Sequence, residues 1–413
     1  MKTIGAVLLL LFATTAVAQD FEAFAGAQIR FDAPGARALA MGGATTALGD
    51  VFGPATNPAS IAGMKRTFAI EGRRTSSDTE HVIVDGGVFG RTSLGSSNSR
   101  LSNATLVLPS RAGTFAFFYD RPIDVAADTR PLPFRTIALG IVPGAGFVPA
   151  GQCADGCYVR NITVPLNLPI VASLAVQRYG AAYAWKNDRF AGGVSLRYES
   201  MDERADALAL DGTPVFVQRA DDSAVSWSAG GQARITDWLR VGAAYRSGAA
   251  FDAERHATAP FIPYTRIEQL HTPASYSAGI ALDARNLTIT ADATRVEYSS
   301  MLDSVTPIME TPATPRTGGF AIPNVTELRA GAEYRISDRV AVRAGWWRDP
   351  SHRMRTASAN VLDSALLDLA LIDGDEDHIT AGIGVGSERL RMDAGFDRGD
   401  RSTRASISLA TTF

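Results

Sequence analysis

The feature that most constrains this chain is a period of two in hydrophobicity that returns along most of its length. In 405–413 the alternate positions are mostly apolar or aromatic, namely Ala405, Ile407, Leu409, Thr411 and Phe413, and the residues between them are small or polar. Successive side chains of a strand point to opposite faces, so this spacing predicts a strand with one apolar face. Comparable stretches lie at 389–398, 376–386, 339–349, 324–336, 286–298, 273–283, 239–248, 224–236, 189–200, 171–186, 113–121 and 99–108. The chain is therefore predicted to be all-β.

The spacing of the strands favours a transmembrane barrel over a soluble sandwich, which period two alone also fits. Short turns alternate with long connections such as 248–272 and 350–376, and aromatic residues lie near strand ends. Transmembrane barrels have short periplasmic turns, long extracellular loops and aromatic girdles. The aromatic C-terminus, Phe413, also resembles the closing strand of bacterial outer-membrane barrels, which the barrel assembly machinery recognises. Termini on one side require an even number of strands, so one more precedes residue 99. We favour 67–74 over 81–90, which leaves 81–98 as a loop and gives about fourteen strands.

The N-terminus predicts export. Lys2, an apolar run at 6–12 and the Ala16-Val17-Ala18 site indicate a signal peptide at 1–18. No later stretch offers about 20 apolar residues, so a membrane location requires a barrel. The 413-residue chain has a formal net charge of −3, which argues against a nucleic-acid partner. Its two cysteines, Cys153 and Cys157, are predicted to form a disulfide in an exported loop.

Residues 19–65 are rich in glycine and proline and show no period of two. They contain the stretches 36–44 (Ala-Arg-Ala-Leu-Ala-Met-Gly-Gly-Ala), 46–50 (Thr-Ala-Leu-Gly-Asp) and 57–60 (Asn-Pro-Ala-Ser). These stretches, together with the strands, resemble the long-chain fatty acid transporter (FadL-like) outer-membrane proteins. The resemblance implies a hatch at 19–65 inside a barrel at 66–413. The hatch motif consists of Gly42, Gly43, Asn57, Pro58 and Ala59. A wide lumen needs such a filling, although a periplasmic linker is the alternative.

No catalytic constellation is evident in the sequence. The five histidines are scattered, and the glycines at 382, 384 and 386 lie in an alternating strand and not in a nucleotide loop. We therefore predict a protein that is not an enzyme and has no cofactor or metal. The acidic run at 373–377 is either a solvated loop tip or an oxygen-ligand cation site.

The charged residues predicted to face the lumen pair with one another or meet an anionic head group. The principal ones are Arg197, Arg246, Arg329, Glu333, Arg343 and Arg391. Two predicted outer loops, 131–172 and 363–372, are unusually apolar, which indicates either loop-on-loop packing or a hydrophobic entry groove. The candidate ligand-binding residues are Phe21, Phe24, Phe134, Ile137, Leu139, Phe147, Leu366 and Leu369.

The resemblance implies passive transport of a hydrophobic, fatty-acid-like small molecule across the bacterial outer membrane. In the family, movement of the hatch and a side opening in the wall release the ligand. The expected partners are this ligand, outer-membrane lipid and the barrel assembly machinery, and the chain is expected to be a monomer. The alternative is a structural or accessory barrel that serves a secretion system or anchors partners.

Overall fold

The computed structural model describes residues 31, 33–85, 88–129, 137–142, 146–149, 158–162, 170–208, 214–258, 264–302, 320–352, 355–356 and 374–413. The predicted signal peptide, Phe21, Phe24 and the predicted disulfide of Cys153 and Cys157 lie outside the described residues. So do Phe134, Leu366 and Leu369.

The sheet is a closed antiparallel barrel of 14 strands. The strands are β1 (Thr67–Asp85), β2 (Val88–Pro109), β3 (Thr114–Thr129), β4 (Ile170–Lys186), β5 (Phe190–Leu208), β6 (Pro214–Arg234), β7 (Leu239–Arg246), β8 (Ser275–Ala284), β9 (Leu287–Val296), β10 (Val325–Arg335), β11 (Val340–Asp349), β12 (Glu376–Gly386), β13 (Leu390–Arg398) and β14 (Ser402–Thr412). Each strand pairs with the next, and β14 pairs with β1 in a register that places Thr67 opposite Thr412. The predicted all-β barrel of about fourteen strands is confirmed.

Shorter elements lie outside the barrel wall. Before β1 come α1 (Ala36–Ala40) and two 3-10 turns, Gly53–Ala55 and Pro58–Ile61. The loop between β3 and β4 contains a small sheet of Ile137–Val142, Gly146–Pro149 and Tyr158–Ile162. A hairpin of Ala250–Thr258 and Tyr264–His271 extends the sheet from β6, a 3-10 turn spans Tyr298–Leu302, and Phe320–Ala321 pairs with Arg355–Thr356. Within the described part of the chain, no helix is long and apolar enough to span a membrane.

The first hairpin corrects one expectation. β1 begins at Thr67 as favoured, but 81–98, expected to be a loop, is mostly strand. β1 and β2 pair up to Asp85 opposite Val88, and β5 and β6 likewise pair over most of 200–223, from Ser200 opposite Ser223 to Leu208 opposite Pro214. These strand ends extend beyond the apolar band, so no apolar face marks them in the sequence. Backbone hydrogen bonds between the strands still form there.

The two faces of the wall differ in chemistry. Large apolar side chains such as Leu196, Val225 and Ile379 point outward and are more than half exposed, whereas polar side chains such as Glu71 and His378 point inward and are buried. So continuous an apolar exterior is unfavourable in water but favourable in the hydrocarbon core of a lipid bilayer. The predicted outer-membrane barrel is confirmed by this closed architecture.

Candidate functional site in the barrel interior

Residues 33–65, called here the N-terminal segment, lie against the inner face of the wall. α1 contacts β12, β13 and β14. Gly42 and Gly43 follow the helix, and their φ angles of 63° and 79° lie in the left-handed region that favours glycine. The Gly42 amide donates to Thr380 Oγ1 at 3.0 Å, and the Thr380 hydroxyl donates to the Ala40 carbonyl at 3.0 Å. The end of the helix is thus bonded directly to β12.

A line of inward glycines allows this close approach. They are Gly193, Gly230, Gly242, Gly279, Gly331, Gly345, Gly382 and Gly395, distributed over β5 to β8 and β10 to β13. Several face one another across neighbouring strands, for example Gly331 opposite Gly345. A Cβ placed on Gly345 would lie 2.5 Å from the Gly42 nitrogen and 2.5 Å from the Met41 carbonyl carbon. The wall therefore lacks side chains where the backbone of the N-terminal segment rests on it.

The Asn57-Pro58-Ala59 motif fixes the second half of the segment. Asn57 Oδ1 accepts from the Ala59 amide at 3.0 Å and so caps the 3-10 turn Pro58–Ile61. Pro58 suits the first position of this turn because it has no amide to satisfy there. Asn57 Nδ2 donates to the Thr46 carbonyl at 2.8 Å, which ties the two halves of the segment together. Gln232 of β6 donates to the same carbonyl at 3.0 Å.

A chain of charges joins the segment to β10, β11 and β13. Arg37 Nε donates to Glu333 Oε2 at 2.9 Å, Glu333 also accepts from Arg343 Nε at 2.7 Å, and Arg343 lies 2.9 Å from Asp393. Arg37 also lies 3.6 Å from Asp50 within the segment. Burial raises the pKa of the Asp50 carboxyl, although Arg37 opposes that shift. Ion pairs therefore fix the segment here, whereas close packing against the inward glycines fixes its backbone.

Arginines outnumber their acidic partners on one side of the mid-lumen. Arg178 pairs with Asp120 at 3.0 Å. Arg197 is buried and donates to Ser226 Oγ at 2.9 Å, while Glu199 is 3.8 Å away. The Arg197 Nη1 atom is buried and has no hydrogen-bond partner among the described residues.

Arg246 is the third arginine in this part of the lumen. Arg246 Nε donates to Ser275 at 2.9 Å, and its guanidinium lies 4.9 Å from the ring centroid of Phe31. Within the described residues it forms no ion pair with a carboxylate. Arg197 and Arg246 therefore offer guanidinium groups with spare capacity for an anion.

An apolar cluster fills the interior on the long-loop side of these arginines. Its members are Ile123, Leu174, Val176, Met201, Ala220, Ala249, Phe251, Ala253, Val296, Tyr298, Met301, Ile322 and Val325. We call this set the lumen cluster. Phe31 packs against it, so the cluster, the N-terminal chain and Arg246 adjoin one another. Barrel interiors are commonly polar, which makes this apolar region the most distinctive surface in the lumen.

The predicted site residues occupy different regions. Arg197, Arg246, Arg329, Glu333 and Arg343 lie in the interior, and Arg329 Nη1 donates to the Gly42 carbonyl at 3.2 Å. Arg391, whose side chain is 46% exposed, pairs with Asp393 at the short-turn end of the lumen.

The loop residues of the prediction are only partly described. Ile137, Leu139 and Phe147 belong to the small loop sheet, where Leu139 pairs with Pro149, and their side chains lie outside the described part. In the acidic run, Asp375 accepts from the Ser351 amide at 2.9 Å and bonds to Arg348, and Glu376 accepts from the Arg401 amide at 2.7 Å. Among the described residues, no group of His, Cys, Asp or Glu is arranged to hold a metal ion.

Sequence reasoning missed the lumen cluster. Leu174 and Val176 have the same parity as Arg178, and Met201 has the same parity as Arg197. The sequence signal of this cluster is an apolar residue at an inward-facing position, on the long-loop side of an inward-facing arginine in the same strand.

Comparison with known proteins supports the fold. The sequence matches no family model and no curated protein. A Pseudomonas aeruginosa FadL homologue matches with a TM-score of 0.66 and 14% identity, covering 94% of this chain and 99% of that chain. The Ralstonia pickettii toluene transporter TbuX matches with a TM-score of 0.59 and 15% identity, covering 92% of this chain and 98% of that chain. The P. putida toluene transporter TodX matches with a TM-score of 0.60 and 13% identity, covering 92% of this chain and 98% of that chain. At these identities the likeness establishes a common fold.

Proposed function

We propose that this chain, which has the fold of FadL-like outer-membrane proteins, is a passive channel for hydrophobic small molecules. The observation that supports this most is the lumen cluster, because an apolar region inside an otherwise polar lumen stabilises an apolar ligand. Its neighbours in fold include proteins named as toluene transporters. Met201 and Met301 lie within the cluster, and methionine side chains adapt readily to a guest.

The N-terminal segment acts as the hatch in this proposal. It rests on the glycine line, and Phe31, which precedes it in the chain, packs against the lumen cluster. A ligand leaving the cluster toward the periplasm meets this segment, so its displacement or local opening controls passage. Concentration differences alone drive the movement, with downstream consumption of the ligand maintaining the gradient.

The ligand is, in this proposal, an acyl chain with an acidic head. Phe31 joins the lumen cluster to Arg246, and Arg197 has an unused donor in the same layer. Guanidinium groups bind carboxylates well because their donors match the two oxygens. A fatty acid would place its chain in the cluster and its carboxylate at these arginines. An aromatic hydrocarbon is the second candidate, and it would use the cluster alone.

Transport is tested by filling the cluster. Met201→Trp should lower uptake of radiolabelled oleate or toluene in a bacterial strain that has no such channel. Leu196→Trp is the matched control, because Leu196 lies on the same strand but points outward with 61% exposure. Folding of each variant is checked by the heat-dependent gel mobility typical of barrels. Normal uptake by a folded Met201→Trp protein would contradict the proposal and favour the accessory barrel.

The head group is tested separately by binding to purified protein. Fatty acids of increasing length should gain about fourfold in affinity per methylene, which corresponds to about 0.8 kcal/mol for each buried group. Arg246→Gln should reduce affinity for a fatty acid by about tenfold or more and leave the alcohol of equal length nearly unchanged. Equal binding of acid and alcohol by the wild-type protein would refute head-group recognition and leave the hydrocarbon candidate.

A further inference from the structure

The short-turn end of the barrel carries arginines around its circumference. Arg66 precedes β1, and a different short turn holds each of the others, which are Arg111, Arg189, Arg285, Arg339 and Arg389. We call these residues the turn arginines. All are exposed, and none forms an ion pair with any residue that the structure describes. For Arg189, Arg339 and Arg389 the backbone amide makes the local hydrogen bond of the turn, and within the described part of the chain their guanidinium groups make no hydrogen bond.

A second basic set surrounds the opening of the lumen at the same end. Four basic residues each lie next in the chain to an outward-facing residue, and so border the mouth of the lumen. They are Lys65, Lys186, Arg234 and Arg335. The Lys186 side chain lies over Gly63 of the N-terminal segment. We call these four residues the mouth set. Basic groups exceed acidic ones at this end, where Asp188, Asp237, Asp338 and Glu388 are the exposed acids, although the whole chain carries a net charge of −3.

The turn arginines lie at the edge of the outward aromatic band. Trp185, Phe190, Trp238 and Tyr334 are each about half exposed near the short turns. Arg189 directly precedes Phe190 in the chain, and the Arg66 guanidinium lies 5.8 Å from the ring centroid of Phe413. Aromatic side chains of this kind mark the boundary between hydrocarbon and head groups. Guanidinium groups just beyond them therefore lie at the depth of lipid phosphates.

We infer that the turn arginines bind the phosphate groups of anionic phospholipids in the periplasmic leaflet. Short turns lie on the periplasmic side of such barrels, and arginine suits phosphate because its donors form a planar fork. The distribution of the arginines favours lipid over a docked protein. A soluble acidic protein would cover the face and its mouth, whereas a ring at the circumference matches an annulus of head groups.

The test compares two variants with equal charge change at the same end. In the ring variant, Arg111, Arg189, Arg339 and Arg389 are replaced by Gln; in the mouth variant, Lys65, Lys186, Arg234 and Arg335 are replaced by Gln. The association of spin-labelled phosphatidylglycerol relative to phosphatidylcholine is measured for each protein in liposomes. One basic residue near an anionic surface enriches an anion by up to about fivefold at low salt.

The wild-type protein and the mouth variant should prefer phosphatidylglycerol by severalfold, and the ring variant should approach no preference. The double variant Arg339→Gln/Arg389→Gln should lose about half of the preference, and about 0.5 M salt should abolish it because the charges are screened. No preference in the wild-type protein would overturn the inference. So would an equal loss in the ring and mouth variants accompanied by an equal loss of polyglutamate binding, which would assign the face to an acidic protein.

Discussion

Replacing Glu333 by Gln tests what holds the N-terminal segment against the wall. Glu333 accepts from Arg37 at 2.9 Å and 3.3 Å, and from Arg343 at 2.7 Å. Gln keeps the size of the side chain but removes its charge, and a hydrogen bond to a charged group contributes about 1.5–3 kcal/mol. The hydrogen bond from Arg343 to Glu333 joins two strands of the wall and does not contribute to docking of the segment. Arg37 is 22% exposed and keeps its contact with Asp50, so we assign about 2 kcal/mol to docking of the segment.

This loss corresponds to about 30-fold in the equilibrium between docked and undocked segment. Hydrogen exchange by mass spectrometry of peptides covering 36–48 should therefore accelerate by about that factor in Glu333→Gln, since the amides of Gly42 and Thr46 donate to the wall. Asp120→Asn is the control, because it breaks a buried pair between β3 and β4 without contacting the segment. Exchange within threefold of the wild type, or equal acceleration in the control, would refute the reasoning.

Gly345→Ala should loosen the segment by about 1–3 kcal/mol in the same exchange assay, because its Cβ meets backbone that cannot move aside, whereas Gly231→Ala, with its nearest atom at 3.6 Å, should have no effect. Asn57→Asp should destabilise the segment, since Asp retains the cap but loses the amide donor; wild-type exchange in Asn57→Asp would refute this. The pKa of Asp375 is lowered by the hydrogen bond from Arg348, so this contact stabilises the fold above the ordinary carboxyl pKa and is lost as pH falls through the lowered value. A ¹³C titration should give a midpoint below that of free Asp, which Arg348→Gln raises; an unchanged midpoint would contradict it.

Sequence alternation identified the strands where they cross the bilayer and failed where they leave it. In β10 and β11 the apolar positions face lipid, so the pattern follows the physical constraint residue by residue. The outer halves of β1 and β2 are rich in serine and charged residues, which carry no period of two. Only the pairing of the two backbones, up to Asp85 opposite Val88, defines these strands. Pairing depends on neighbouring chain segments and is not encoded in any single window of sequence.

The interior was harder to predict because inward-facing residues contact several different parts of the chain. The alternation placed the glycines at 382 and 384 in a strand, but it did not show that Gly382 lies against Ala40 of α1. The mid-lumen arginines were placed by parity alone. The lumen cluster required a different inference, since Leu174 and Phe251 become neighbours only when the barrel closes and the 250–271 hairpin joins β6. No sequence spacing relates those residues.

The contacts of the N-terminal segment with the wall are unequal around the barrel. Toward β6, β9, β10 and β12 the segment bonds to Gln232, Asp292, Glu333 and Thr380. Toward β2, β3 and β4 it meets Val107, Ala116, Phe118, Ala182 and Ala184, and among the described residues the one hydrogen bond on this side joins the Gly63 amide to Thr114 Oγ1 at 3.0 Å. Separating apolar surfaces exposes area gradually, whereas separating buried charges leaves each without its partner at once. If the segment moves as in the proposed function, we therefore expect its separation from the wall to cost less beside β2 to β4 than on the charged side.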